Sequence, residues 1–242
     1  LASNSNFSNA SWKAVTGSED GEILYVAEGG STIFISEDTG STWRADASST
    51  VEAWSGLACS TLGDTLFAVT ASGTVYQSVD YGSNLAALPD ISSALGWTSV
   101  ACSSNAQYVI ASEASGGTVY YNTCGGVGAW TSSVSVSGIG SLAVSANLSA
   151  IIAAQSYGGA GYVYVSTDGA GTWTDVGLPL QDWSGVAANA SGNVLIAAAY
   201  DGAVYVSSNT GTTWYEQITG TGGFRPVALS PNGKILAVGN FD

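Results

Sequence analysis

The sequence predicts an all-β chain folded as a β-propeller of four-stranded antiparallel blades, with five recognisable blades and an incomplete sixth. Three observations predict it. One segment recurs at a steady interval, apolar runs of strand length alternate with Gly, Asn and Ser turns, and helical periodicity is absent throughout.

The recurring segment reads WKAVTGSEDGEILYVA from Trp12, WSGLACSTLGDTLFAV from Trp54, WTSVACSSNAQYVIAS from Trp97, IGSLAVSANLSAIIAA from Ile139, WSGVAANASGNVLIAA from Trp183 and FRPVALSPNGKILAVG from Phe224. These align without gaps, and their starts lie 41 to 44 residues apart, the size of a four-stranded blade. Residues 1–242 are therefore read as a single propeller domain, with 1–11 a leading segment placed to help close the ring. The sixth unit stops at GNFD after two strands. An edge left there would carry unpaired N–H and C=O groups.

Each unit opens on a first strand, turns at Gly, Asn or Ser, and continues into a second apolar strand such as VLIAAAY. The third strand carries an aromatic at matching positions, Phe34, Tyr76, Tyr120, Tyr164 and Tyr205, a large flat side chain suited to the wedge between blades. Between third and fourth strands lies a second recurrent pattern: SEDTGSTW at 36–43, SVDYGSNL at 78–85, STDGAGTW at 166–173 and SSNTGTTW at 207–214. Its Asp can accept from the turn's own N–H groups, its Gly can take positive φ, and its Ser and Thr hydroxyls satisfy further main-chain groups.

This turn resembles the Asp-box, or bacterial neuraminidase, repeat S/T-x-D-x-G-x-T-W. The resemblance covers nearly the whole chain, on Asp38, Gly40 and Trp43, on Asp80 and Gly82, on Asp168 and Trp173, and on Asn209, Gly211 and Trp214. Unit two lacks the Trp, unit five has Asn209 for Asp, and unit three, NTCGGVGAW, has Cys124 for Asp. The resemblance implies a propeller such as those of sialidases, sortilin-type receptors, some glycoside hydrolases and a photosystem assembly factor. In that family the boxes are structural and lie away from the catalytic face, so the family implies no particular activity.

Composition narrows the function classes. Charged residues are 9% of the chain, against about 25% in ordinary soluble domains, and 4 Lys+Arg face 18 Asp+Glu for a net charge of −14. Such a chain repels phosphate backbones and anionic bilayers, so nucleic acid is not an expected partner. No apolar run approaches the ~20 residues that span a bilayer, and no membrane insertion is expected. The sequence opens on Leu and contains no Met, as expected of a processed chain or a piece of a longer one. Asn6, Asn9, Asn147 and Asn189 occupy N-x-[ST] sequons, which together with the low charge point to a secreted or cell-surface glycoprotein. Cys59, Cys102 and Cys124 leave at least one odd thiol and do not fix the redox compartment.

The eight Trp are all accounted for by the repeat, four opening first strands and four closing boxes. Catalytic groups are sparse: there is no His, and two Arg, Arg44 and Arg225, cannot make the three-arginine cluster that sialidases of this fold use. A glycosidase can run on two carboxylates, and Glu28, Glu113 and Asp201 are the candidates in the second-to-third-strand turns. Those turns are short, so no enzyme is expected. The acidic boxes lack the ligand number of a calcium hand, and no metal or other cofactor is expected. The expected function is a non-catalytic structural or assembly propeller of an extracellular or cell-surface structure, glycosylated and bound to protein partners or to copies of itself, including as a filament subunit. The alternative is a carbohydrate-binding propeller with Tyr157 and Tyr200 on its ligand face. A glycoside hydrolase ranks third.

Overall fold

The computed structural model describes residues 11–46, 51–89, 91, 95–114, 116–133, 136–156, 159–220 and 223–241, and Asn6, Asn9, Tyr157 and nearly all of the leading segment lie outside them. Every regular element among the described residues is a β-strand. Blade one contains β1 (Trp12–Gly17), β2 (Leu24–Glu28), β3 (Ile33–Ser36) and β4 (Arg44–Ala45). Blade two contains β5 (Trp54–Cys59), β6 (Leu66–Thr70), β7 (Val75–Ser78) and β8 (Ala86–Ala87). Blade three contains β9 (Trp97–Cys102), β10 (Val109–Glu113), β11 (Val119–Asn122) and β12 (Thr131–Ser133). Blade four contains β13 (Ile139–Val144), β14 (Ile151–Gln155), β15 (Val163–Ser166) and β16 (Thr174–Asp175). Blade five contains β17 (Trp183–Ala188), β18 (Leu195–Ala199), β19 (Ala203–Ser207) and β20 (Tyr215–Thr219), and blade six contains β21 (Gly223–Leu229) and β22 (Leu236–Phe241). Blades one to five are four-stranded antiparallel sheets in sequential order, and β21 and β22 form a two-stranded one. The chain is thus a propeller of five full blades and a partial sixth, as its repeat predicts.

The first strands lie innermost and pack on one another in turn, β1 on β5, β5 on β9, β9 on β13, β13 on β17 and β17 on β21. Second strands are sandwiched between neighbouring blades, and β6, β10 and β18 are buried along their whole length. Burial on both faces explains why LFAVT and LIAAA are nearly continuous apolar runs without alternation. Five apolar layers result, each shared by two consecutive blades. The layer between blades four and five joins Ile152, Ala154 and Val165 to Trp183, Leu195 and Ala197.

The first-strand Trp residues latch blade to blade. The indole N–H of Trp54 donates to Ser31 O at 3.0 Å, that of Trp97 to Gly73 O at 3.0 Å and that of Trp183 to Gly161 O at 2.8 Å, each carbonyl belonging to the preceding blade. Within its own blade each ring meets the third-strand aromatic edge to face, Trp54 with Tyr76 at 5.3 Å and Trp183 with Tyr205 at 5.8 Å between centroids. Trp12 pairs with Phe34 in the same way, yet it is 42% exposed where Trp183 is fully buried.

Candidate functional site: the box face and axial mouth

The box turns close as their residues require. Asp38 Oδ1 accepts from Thr42 N at 2.7 Å, and its Oδ2 accepts from the Thr42 hydroxyl at 2.6 Å. Ser36 Oγ donates to Asp38 at 2.9 Å and accepts from Gly40 N at 2.8 Å. Asp168 repeats this with Thr172 and Ser166, Asp80 with Asn84 and Ser78, and Asn209 with Thr213 and Ser207. Gly40 sits at φ 84°, Gly82 at 72° and Gly211 at 81°, the left-handed region that glycine enters freely. In blade four Ala170 takes this place at φ 69°.

These bonds favour the ionised carboxylate. The Asn84 side chain, with Ser78 and Asn84 N, holds Asp80 down at about 2, and the Thr172 N–H and hydroxyl hold Asp168 at about 2. The Thr42 hydroxyl and N–H lower Asp38 in the same way. A carboxylate held so far below neutrality and bonded to its own turn is a poor proton donor at physiological pH.

Blade three departs from the pattern. Cys124 is exposed at the Asp position, and the buried Asn122, at the Ser position, closes the turn instead. Its Oδ1 accepts from Cys124 N at 2.8 Å and Gly126 N at 2.9 Å, while its Nδ2 donates to Val127 O at 3.1 Å and Ala129 O at 3.2 Å. A box defined by its Asp does not reveal Asn122; the extra glycines of NTCGGVGAW are the local signal. The box Trp residues also diverge. The indole N–H groups of Trp43 and Trp214 donate to Gly40 O and Gly211 O within their own turns, that of Trp173 reaches Ser133 Oγ of blade three, and the buried Trp130 N–H has no hydrogen-bond partner among the described residues.

A second recurring clamp closes the turn after each first strand. Ser18, Ser60, Ser103, Ser145 and Ser230 accept through their hydroxyls from the N–H five residues on, at 2.9 to 3.2 Å. In blade five Asn189 substitutes, its Oδ1 accepting from Val194 N at 3.0 Å. Sequence reasoning passed over this clamp, although a Ser or Asn at one fixed offset in six aligned segments marks it. Both sequons outside the leading segment fall in these turns. Asn147 is exposed; Asn189 is buried, with Nδ2 donating to Ser191 Oγ and Asn193 Oδ1. Nδ2 is the atom a glycan would occupy, so the folded chain has no room for one at Asn189.

Clamp turns and box turns share one face of the ring, because Thr39 N donates to Glu22 O, Tyr81 N to Asp64 O, Gly125 N to Gln107 O and Thr210 N to Asn193 O. At its centre an axial mouth of about 190 Å3 is lined by residues of all six blades, from Gly17 and Glu19 round to Leu229 and Pro231. Main-chain bonds tie its rim from blade to blade: Glu19 N to Thr61 O, Thr61 N to Ser104 O, Ser104 N to Ala146 O and Ala190 N to Pro231 O. Cys59 and Cys102 line it as free thiols. Burial pushes the Cys59 thiol up to about 11 and the Cys102 thiol higher, so both are neutral and unreactive at pH 7.

The opposite face carries the carboxylates singled out for glycosidase chemistry. Glu28 is in blade one, Glu113 in blade three and Asp201 in blade five, so no two share a blade or neighbour one another around the ring. Glu113 is buried and accepts from Gly116 N at 2.9 Å. Tyr200 is exposed there, its N–H bonded to Asp182 O at 2.7 Å. No cluster of three or more His, Cys, Asp or Glu able to hold a metal occurs among the described residues.

No protein-family model matches the chain, and no curated protein matches it in sequence. Solved structures do. A GH74 enzyme from Niastella koreensis superposes with a TM-score of 0.71 at 20% identity over 86% of this chain and 38% of its own. YCF48 bound to D1 peptide matches at 0.66 and 14% identity over 96% and 75%, and the nidogen/laminin complex at 0.66 and 11% over 86% and 79%. The chain spans little more than a third of the GH74 chains it resembles. At these identities the likeness establishes the propeller fold. It also corrects the expected role as a structural, filament-forming surface component: GH74 glycoside hydrolase propellers are among the structures matched, at TM-scores of 0.69 to 0.74. Low charge and short turns describe a scaffold that hosts catalysis and binding alike, and they do not select a structural role.

Proposed function

We propose that the chain is a recognition propeller that binds a polypeptide partner on its box face, outside the cell. The observation that carries this reading is the form of that face. It has a small axial mouth, and its box carboxylates are engaged by their own turns. Carboxylates spent on their own turns leave little for acid–base chemistry on this face, whereas they do not impede the docking of a macromolecular partner. Two structures matched over most of their own length, YCF48 bound to D1 peptide and the nidogen/laminin complex, support it, since each is a propeller in complex with a polypeptide. The sequons at Asn6, Asn9 and the exposed Asn147 support the extracellular setting.

Panning a phage-displayed random dodecapeptide library on the whole chain tests the proposal, with titration calorimetry on synthetic copies of the enriched sequences. The expected result is enrichment of peptides with micromolar or tighter dissociation constants, and no release of reducing ends from xyloglucan. Absence of enriched peptides together with xyloglucan cleavage would replace this reading with an enzymatic one.

A further inference from the structure

Blade two differs from the others at two places on the box face. In the clamp turn Leu62 stands where the other blades carry Asp20, Asn105, Asn147, Ser191 and Asn232. In the box turn Val79 stands where they carry Glu37, Thr123, Thr167 and Ser208. Both side chains are 70% exposed, and Tyr81 beside Val79 is 44% exposed. Large apolar groups at positions that are polar in every other unit set blade two apart from the rest of this face.

Tyr81 belongs to a cleft of about 430 Å3 between blades one and two, lined by Ile23, Glu37, Asp80, Tyr81 and Ser83. The two turns are fixed together, Tyr81 N donating to Asp64 O at 3.1 Å, while Glu19 N of blade one donates to Thr61 O at 2.9 Å. Gly63 packs directly on Ile23, so closely that a Cβ there would stand 2.8 Å from the Ile23 Cβ. Leu62 is therefore next in the chain to a glycine packed on Ile23 of the cleft wall. The carboxylates lining the cleft are Glu37 and Asp80, with Asp64 tied to Tyr81 through its main chain. The cation present, Arg44, is bound to Glu37 at 2.6 Å and to Tyr81 O at 3.0 Å.

We propose that this cleft docks an extended polypeptide segment carrying a large apolar side chain next to a Lys or Arg. The apolar side chain lies on Leu62, Val79 and Tyr81, and the cation lies among the carboxylates, which also exclude anionic membranes and phosphorylated ligands. The proposal rests on the polypeptide-binding reading above and adds where and what. Electrostatic steering of this kind weakens with added salt.

The test continues from the panned peptides and the whole chain. Support is enrichment of Lys or Arg adjacent to Leu, Ile, Phe or Trp, with affinity for a synthetic copy falling at least tenfold in Val79→Ser/Tyr81→Asn and in Leu62→Ser. Tyr215→Ser, on exposed β20 at the rim of blade five, should leave affinity unchanged. Asn suits the φ of 57° at position 81, and an unchanged melting curve verifies folding; Leu62→Ser lies in the separate clamp turn. Peptides that bind equally well to all these variants overturn the cleft and leave the polypeptide-binding reading standing. No enriched peptides at all sink both. Self-association in sedimentation that Val79→Ser abolishes assigns the cleft to a second copy and overturns the proposal as well.

Discussion

In blade four the turn between β15 and β16 is closed by a carboxylate, Asp168, which is exposed and accepts three hydrogen bonds from Ser166 and Thr172. In blade three the equivalent turn between β11 and β12 is closed by a carboxamide, Asn122, which is buried and both accepts and donates. The two hairpins have the same role and opposite electrical character. Asp168 is bonded most favourably when ionised, and its bonds with Thr172 stay in contact with water. Asn122 has no charge to lose, and its side chain is buried, with its bond from Gly126 N fully shielded. A neutral, desolvated closure should therefore be costlier to remove and indifferent to acid.

The largest effect is expected at Asn122. Asn122→Ala leaves two N–H groups, that of Gly126 buried, and several carbonyls without this partner and should destabilise by on the order of 2–4 kcal/mol. Urea unfolding measures it, and a loss below that of Asp168→Ala would undo the comparison.

A smaller effect separates the turns by pH. Asp80 and Asp168 titrate at about 2 in the folded chain, below the ~3.9 of an unfolded Asp. Depressed values mean that these turns contribute stability above pH ~4 and lose it as pH falls through ~2. The urea midpoint should be level near neutrality and drop across that window. Asp168→Asn should make the drop shallower, since blade five already closes on Asn209, whose Oδ1 accepts from Thr213 N at 2.9 Å. Asn122→Ala should keep the wild-type acid slope. An acid slope untouched by Asp168→Asn would show that other carboxylates govern it.

The smallest effect is expected at Cys124, which occupies the Asp position of blade three and is exposed. Cys124→Ser should shift stability by no more than about 0.5 kcal/mol, because the closing atoms are on Asn122. A loss comparable to Asn122→Ala would mean that position 124 retains its usual role.

Much of the architecture was legible because the repeat is enforced by burial. Second strands such as LIAAA must be apolar on both faces, and Trp54, Trp97 and Trp183 are held at one place by a shared latch. The candidate site was less legible for the same reason. Aligning repeats draws the eye to what recurs, while Leu62 and Val79 are informative because they do not. The clamp residues escaped notice because Ser and Asn are abundant in this chain, and only their hydrogen bonds set Ser18 or Asn189 apart from neighbouring polar residues. The sequon at Asn189 misled for a related reason, as three letters specify an acceptor without specifying whether its amide faces water.

That buried amide has a bearing on biogenesis. Were the chain routed through a compartment whose transferase modifies nascent polypeptides, Asn189 would be open to it only until the first hairpin of blade five shut. A saccharide attached before then would hold β17 and β18 apart at their turn. Maturation at this point becomes a race between enzyme and hairpin, and the winner would be recorded permanently in the mass of the secreted product.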